Sequence, residues 1–259
     1  MKTQIILRKV HYAFSAFLCT ACLVSCNDWL KPEPLSFYSP ENTYVTKEGL
    51  EGALVSCRAM IRPEFIGNNS YACTELMTSD VAVAGNIVAQ TLKNFEIQLK
   101  PGAYGDSQIG TFWSKGYSAI QKANTIISRV QAADEITEND KNTILAEGYF
   151  HRSYWYYKLV NQFGDVPFID KEVTTPKLDV YSHTRSSILK RLREDMMFAT
   201  RYLPESAPHG AVSKAAGNHL LAKICLACCD FDGAVAATTA VIDHSQHKLM
   251  EKRFGVNIS

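Results

Sequence analysis

Four groups of residues in this 259-residue chain are of types that could do chemistry. Cys26 ends the run Leu23-Val24-Ser25-Cys26, behind three basic residues (Lys2, Arg8, Lys9) and an apolar stretch, Tyr12–Val24. That stretch is too short for a comfortable membrane span and has the layout of an export signal. Small residues ahead of a cysteine suit cleavage by a lipoprotein signal peptidase. Residues 1–25 would then leave, the Cys26 thiol would carry a diacylglyceryl group, and its freed amine could take a further acyl chain. Two or three chains anchor firmly where one is marginal. An ordinary secretory signal with an incidental cysteine is the competing reading.

The second group is Cys225-x-x-Cys228-Cys229, a spacing that invites a metal or redox role. It lies in an apolar helical run, Leu220–Leu226, with no second Cys/His pair at zinc-finger spacing, so packing is the better reading. Cys19 and Cys22 leave with the signal, which leaves Cys57, Cys73, Cys225, Cys228 and Cys229 after lipidation. An odd number implies at least one free thiol or an unforeseen pairing. The third, His244-x-x-His247, could ligate a metal from a helix end but has no acid or thiol beside it. The fourth comprises two acidic pairs, Glu194-Asp195 and Asp230-Phe231-Asp232. Glycoside hydrolysis needs two such carboxylates across a cleft. Here the first pair falls on a solvated helix face and the second at a turn, so solubility and capping explain them better. The chain contains no G-x-S-x-G, P-loop, H-E-x-x-H or G-x-G-x-x-G motif. The expectation is a binding protein rather than an enzyme, with no metal and no cofactor.

The elements that position these residues are helices. Residues 146–169 carry Tyr149, Phe150, Tyr154, Trp155, Tyr156, Tyr157 and Phe163 within a few turns. Leu145, Tyr149, Arg152, Tyr156, Leu159 and Phe163 step at three and four residues and share one face. Phe150, Tyr154, Tyr157 and Val160 fall on neighbouring stripes. A helix apolar nearly all round is a central one, with partners on several sides. Its rings read as packing rather than a ligand platform. Thr137 or Asn139 would cap its start, and Gly164 followed by Pro167 would stop it.

Around it, Thr46-Lys47-Glu48-Gly49 opens a helix with Leu50, Leu54 (or Ala53), Cys57 and Ile61 on one stripe, closed by Pro63; Ser39-Pro40-Glu41-Asn42 opens another before it. Between Glu64 and Asp106 the pattern weakens to loops and a short segment, Thr74–Asp80. Ile109–Ala132 is amphipathic, with Trp113, Tyr117, Ile120, Asn124, Ile127 and Val130 repeating at helical spacing. Asn124 on that inner face is odd, because a buried amide needs partners. After Pro167 the chain reads as extended through Pro176. Ser182 or Thr184 then caps a helix to Leu203, with Ile188, Leu192, Met196, Ala199 and Leu203 inward and Lys190, Arg191, Arg193, Glu194 and Asp195 on a solvated face. Ser213 caps Lys214–Cys228, and a tight turn at Cys229-Asp230-Phe231 leads into Gly233–Asp243. Helix, tight turn, helix, with Asp-Phe-x-x-Ala at the junction, is the tetratricopeptide pattern. The fold class expected is all-α, built of tetratricopeptide-like hairpins with irregular loops.

Composition limits the partners. After removal of residues 1–25 the chain carries 24 Lys and Arg against 26 Asp and Glu. That lacks the basic field a nucleic-acid surface requires.

Three stretches together resemble the SusD/RagB family of Bacteroidetes outer-membrane lipoproteins. The first is Ala146-Glu147, Phe150, Arg152, Tyr154, Tyr156, Leu159-Val160 and Phe163-Gly164-Asp165-Val166-Pro167. The second is Trp113, Tyr117, Ile120 and Ala123-Asn124. The third is Gly210, Val212-Ser213-Lys214-Ala215-Ala216, Leu221-Ala222-Lys223 and Asp230, where Ala211 replaces a usual Arg and Cys229 a usual Gly. Cys26-Asn27-Asp28-Trp29-Leu30 is similar to the family's mature start. The resemblance implies a signal peptide over 1–25, a proline-marked tether over 26–40 (Pro32, Pro34, Pro40) and a helical domain over 41–259. It also implies an anchor at Cys26 and glycan or nutrient capture for a SusC-like TonB-dependent transporter. Family members continue for a few hundred further residues, so the chain reads as the amino-terminal half. The family's aromatic ligand contacts come largely from loops, many beyond position 259. No ligand residue is carried over, and Trp29 and Trp155 are poor platforms.

Overall fold

A computed structural model describes residues 43–65, 108–175, 179–207 and 210–244. Six helices make up about three quarters of the described residues, counting two 3-10 turns with them. The Thr46 hydroxyl accepts the Gly49 N–H to open α1, Lys47–Ile61, which buries Leu50, Leu54 and Cys57. Pro63 then sits inside a single 3-10 turn, Arg62–Glu64. Helix α2, Gln108–Arg129, runs on into a 3-10 turn at Val130–Ala132. Helix α3, Glu138–Phe163, is the central helix; its cap is Thr137, which accepts the Asp140 N–H. Gly164 ends it at φ 75°, a conformation open to glycine.

The segment that follows is more ordered than its sequence suggests. Val166–Pro167 (β1) pairs antiparallel with Ser182–His183 (β2). Ser182 is therefore a strand residue, and Thr184 caps α4, Arg185–Tyr202. Ser213 caps α5, Lys214–Ala227, and a short turn leads to α6, Phe231–His244.

Consecutive helices pack on one another from α2 to α6, and α1 lies against both α2 and α3. The all-α, tetratricopeptide-like expectation holds. Trp155, Tyr156 and Leu159 of α3 join Ile188, Leu192 and Met196 of α4 and Ile224 of α5 in the larger core. A second core unites α1 (Leu50, Leu54) with Ala123 and Ile126 of α2 and Ile144 and Leu145 of α3. Gly148 sets the α2–α3 approach, since a Cβ there would lie 3.1 Å from Cγ1 of Ile127.

Cys229, where the resemblance leads one to expect glycine, is a non-glycine residue with positive φ, 60°. Its side chain is exposed, so it repays the left-handed backbone with no packing. Cys229→Gly is expected to stabilise the fold by about 1 kcal/mol. Chemical denaturation should show the gain as a higher midpoint with an unchanged slope.

Candidate functional site

The sequence-derived candidates do not converge. Cys26, Cys73, His247, Ser39–Asn42 and Thr74–Asp80 lie outside the described residues, as does the His244 side chain. Glu194 is exposed, but Asp195 is only 4 % exposed, which corrects its placement on a solvated face. Leu192, Asp195, Met196 and Ala199 make one inward stripe, and the acid sits on it because α3 offers Arg152. Asp230 caps α6 by accepting the Gly233 N–H at 3.0 Å and pairs with Arg193 at 2.6 Å. Neither acidic pair therefore presents two carboxylates across a cleft. Cys225 is buried in the larger core, as the packing reading expects, and Cys228 is half-buried. Burial pushes both thiols up, and Cys57 to about 12, so all three stay protonated and unreactive near neutrality. Among the described residues no cluster of His, Cys, Asp and Glu is arranged to hold a metal. Trp155 is fully buried, so it cannot be a platform.

What the structure does assemble is a set of polar ties radiating from α3. Arg58 of α1 meets Glu147 in a two-pronged pair at 2.6 and 2.8 Å, with Nε2 of His151 3.4 Å from the same carboxylate. Lys158 and the Tyr154 hydroxyl both bind the buried Glu64. Arg152 is 1 % exposed; its Nη2 lies 2.5 Å from Asp195, its Nη1 donates to the Asp170 carbonyl at 2.9 Å, and its guanidinium covers the Tyr149 ring at 4.9 Å.

These ties fix a strap, residues 166–173, along α2 and α3. Asn124 Nδ2 donates to the Ile169 carbonyl at 2.7 Å, and its Oδ1 accepts from Arg152. The Tyr156 hydroxyl accepts the Ile169 N–H at 2.6 Å and donates to its carbonyl at 3.2 Å. Tyr117 donates to the Pro167 carbonyl at 2.8 Å, and Gln121 to that of Val173 at 3.2 Å. Burial pushes both phenols up, so they remain neutral donors. Asn124 was the visible sign of this clamp; Tyr117 and Tyr156 read only as face residues, and Gln121 drew no attention.

Burial pushes the Glu147 carboxyl up, but hydrogen bonds from His151 and Arg58 outweigh it and hold it below its ordinary 4.5. The unfolded chain then binds the Glu147 proton first as pH falls. Its contribution is present above pH 4.5 and lost as pH drops through the lower folded value. Denaturant midpoints measured from pH 6 downward should fall in that window, and Glu147→Gln should flatten that part of the profile.

A profile of the SusD-like family, described as starch-binding and associating with the outer membrane, matches residues 50–226. The chain belongs to the SusD-like family. Two curated SusD-like proteins of Formosa agariphila are 29 % and 25 % identical over 92 % and 96 % of this chain. The match spans about half of their own length, 47 % and 48 %. Solved structures share the fold. A SusD superfamily protein from Bacteroides vulgatus superposes with a TM-score of 0.68 at 17 % identity, covering 80 % of this chain and 46 % of that one. A laminarin-binding SusD-like protein superposes at 0.67 with 23 % identity, covering 78 % and 46 %. The residues of α3 that carried the resemblance (Glu147, Arg152, Tyr154, Tyr156) are among those that tie the scaffold.

Proposed function

We propose that this SusD-like chain is part of a glycan-capturing lipoprotein of the outer membrane, held by acyl chains on Cys26. It hands oligosaccharide to a TonB-dependent transporter. The observation that carries the reading is the family match over residues 50–226, whose description joins starch binding to the outer membrane. The laminarin-binding relative of the same fold supports a glycan ligand. Capture of this kind is non-covalent: apolar sugar C–H faces stack on rings, and amides and acids bind hydroxyls. The chemistry asks for no bond cleavage and no cofactor.

Affinity electrophoresis of the mature chain through gels cast with laminarin or starch tests the ligand. Retardation by one polymer is the expected result; equal mobility in both and in a polymer-free gel would refute glycan capture by this chain. One observation favours a second reading, a helical module that docks a protein without binding sugar. The exposed rings among the described residues, Phe65, Tyr181, Tyr202 and Phe231, sit on four separate segments. Co-purification with the transporter and no shift in either gel would support that alternative.

A further inference from the structure

Helices α2 to α5 each pack closely on the helix before and the helix after, whereas the close packing of α6 is with α5. The buried face of α6 is small, Ala234 and Ala237 against the larger core. A second face, about a third of a turn away, is apolar and open. On it Phe231 is 65 %, Val235 66 % and Ile242 71 % exposed. Thr238 lies between them and donates its hydroxyl to the Ala234 carbonyl at 2.7 Å, which spends its polar group within the helix. Steps of four, three and four residues keep these side chains on one narrow stripe, the spacing of a seam that meets another helix. Exposed apolar residues are ordinary when scattered singly, but a stripe of three large ones is not. The last helix of a stacked array shows water a polar outer face, and α6 does not. Its polar residues, Asp232, Thr239 and Asp243, lie on a third face beyond the stripe.

We propose that this stripe of α6 is the seam for one further helix, amphipathic and flanked by lysine or arginine, contributed by the part of a SusD-like protein that this chain does not span. The amount of polypeptide fits. The chain matches 47 % and 48 % of the Formosa agariphila proteins and 46 % of the Bacteroides vulgatus fold, so these relatives carry about as much again. The place fits, because α6 is the outermost of the described stack and the next layer has this stripe to build on. The charge fits as well: α6 holds two aspartates and no lysine or arginine, so basic flanks on the incoming helix would be answered. A second copy of this chain fits poorly, since a two-fold axis across the stripe would bring the aspartates of both copies together. The inference rests on family membership and stands whether or not the chain binds a polymer.

Placing p-benzoylphenylalanine at Phe231 puts a photoreactive ring on the stripe with little change of shape. The full chain carrying it is irradiated in the cells that make it, and the cross-linked peptide is identified by mass spectrometry. The expected adduct is a SusD-like sequence beyond the span matched here, apolar at three- and four-residue steps with lysine or arginine alongside. An adduct with α6 of a second copy, an adduct with a protein outside the family, or no adduct would overturn the proposal. The double variant Val235→Lys with Ile242→Lys should cut the adduct by about tenfold or more. Both side chains are already in water, so the melting temperature of the purified chain should stay within about 2 °C of the wild type. An undiminished adduct in that variant, or a larger fall in melting temperature, would equally refute the seam.

Discussion

Arg152→Met is expected to destabilise the fold by about 3–5 kcal/mol. Methionine has the length to fill the space but leaves the Asp195 carboxylate buried, with only the half-exposed Arg191 at 3.3 Å to answer it. It also removes the donors that hold the Asp170 carbonyl and the Asn124 amide. Burial raises the Asp195 carboxyl above its ordinary value, and the attraction of Arg152 and Arg191 only partly offsets this. Desolvation thus outweighs attraction at the Asp195 carboxyl. It follows that the double variant Arg152→Met with Asp195→Leu should recover most of the loss, because apolar replacements of buried ion pairs are often neutral or better. Denaturant melts of the wild type, both single variants and the double variant decide the point; additive losses would refute it. The pH dependence carries the same sign. A carboxyl with a raised folded-state pKa holds its proton more tightly in the native chain, so stability falls as pH rises from the ordinary carboxylate value through the folded one. The double variant should lack that slope.

Cys26→Ala is expected to abolish acylation and retention in the outer membrane, leaving either an unprocessed precursor or a soluble export product. Without a thiol there is no site for the diacylglyceryl group, and no helix among the described residues is long and apolar enough to cross a bilayer. Radiolabelled palmitate incorporation and sedimentation with outer membranes read the two consequences separately. A variant that still sediments would show that anchoring does not depend on this cysteine.

Much of the scaffold was legible because local chemistry marks helix ends. Thr46, Thr137, Thr184 and Ser213 each accept a backbone N–H as hydroxyl caps do, and Gly164 ends its helix with the positive φ that glycine permits. The ring-laden face of α3 announced a helix with several neighbours, which the two cores bear out. Asp195 was misread for a physical reason: helical spacing identifies a face but not a distant partner, and Arg152 is 43 positions away in sequence. The pairing of Val166–Pro167 with Ser182–His183 was invisible for the same reason, since two-residue strands have no periodicity to read. Asn124 showed that a partner was needed without revealing that the partner was a main-chain carbonyl. No ligand residue was legible, because no spacing rule marks one.

The strap has a consequence for how this protein can diversify. Its grip falls mainly on carbonyls and two amide N–H groups of residues 166–173, while the side chains of Asp170, Lys171 and Val173 face outward. Those three letters can be rewritten freely without loosening the ribbon beneath them. A lineage could therefore repaint this strip of its exterior in few mutational steps, with the foundation helices left untouched.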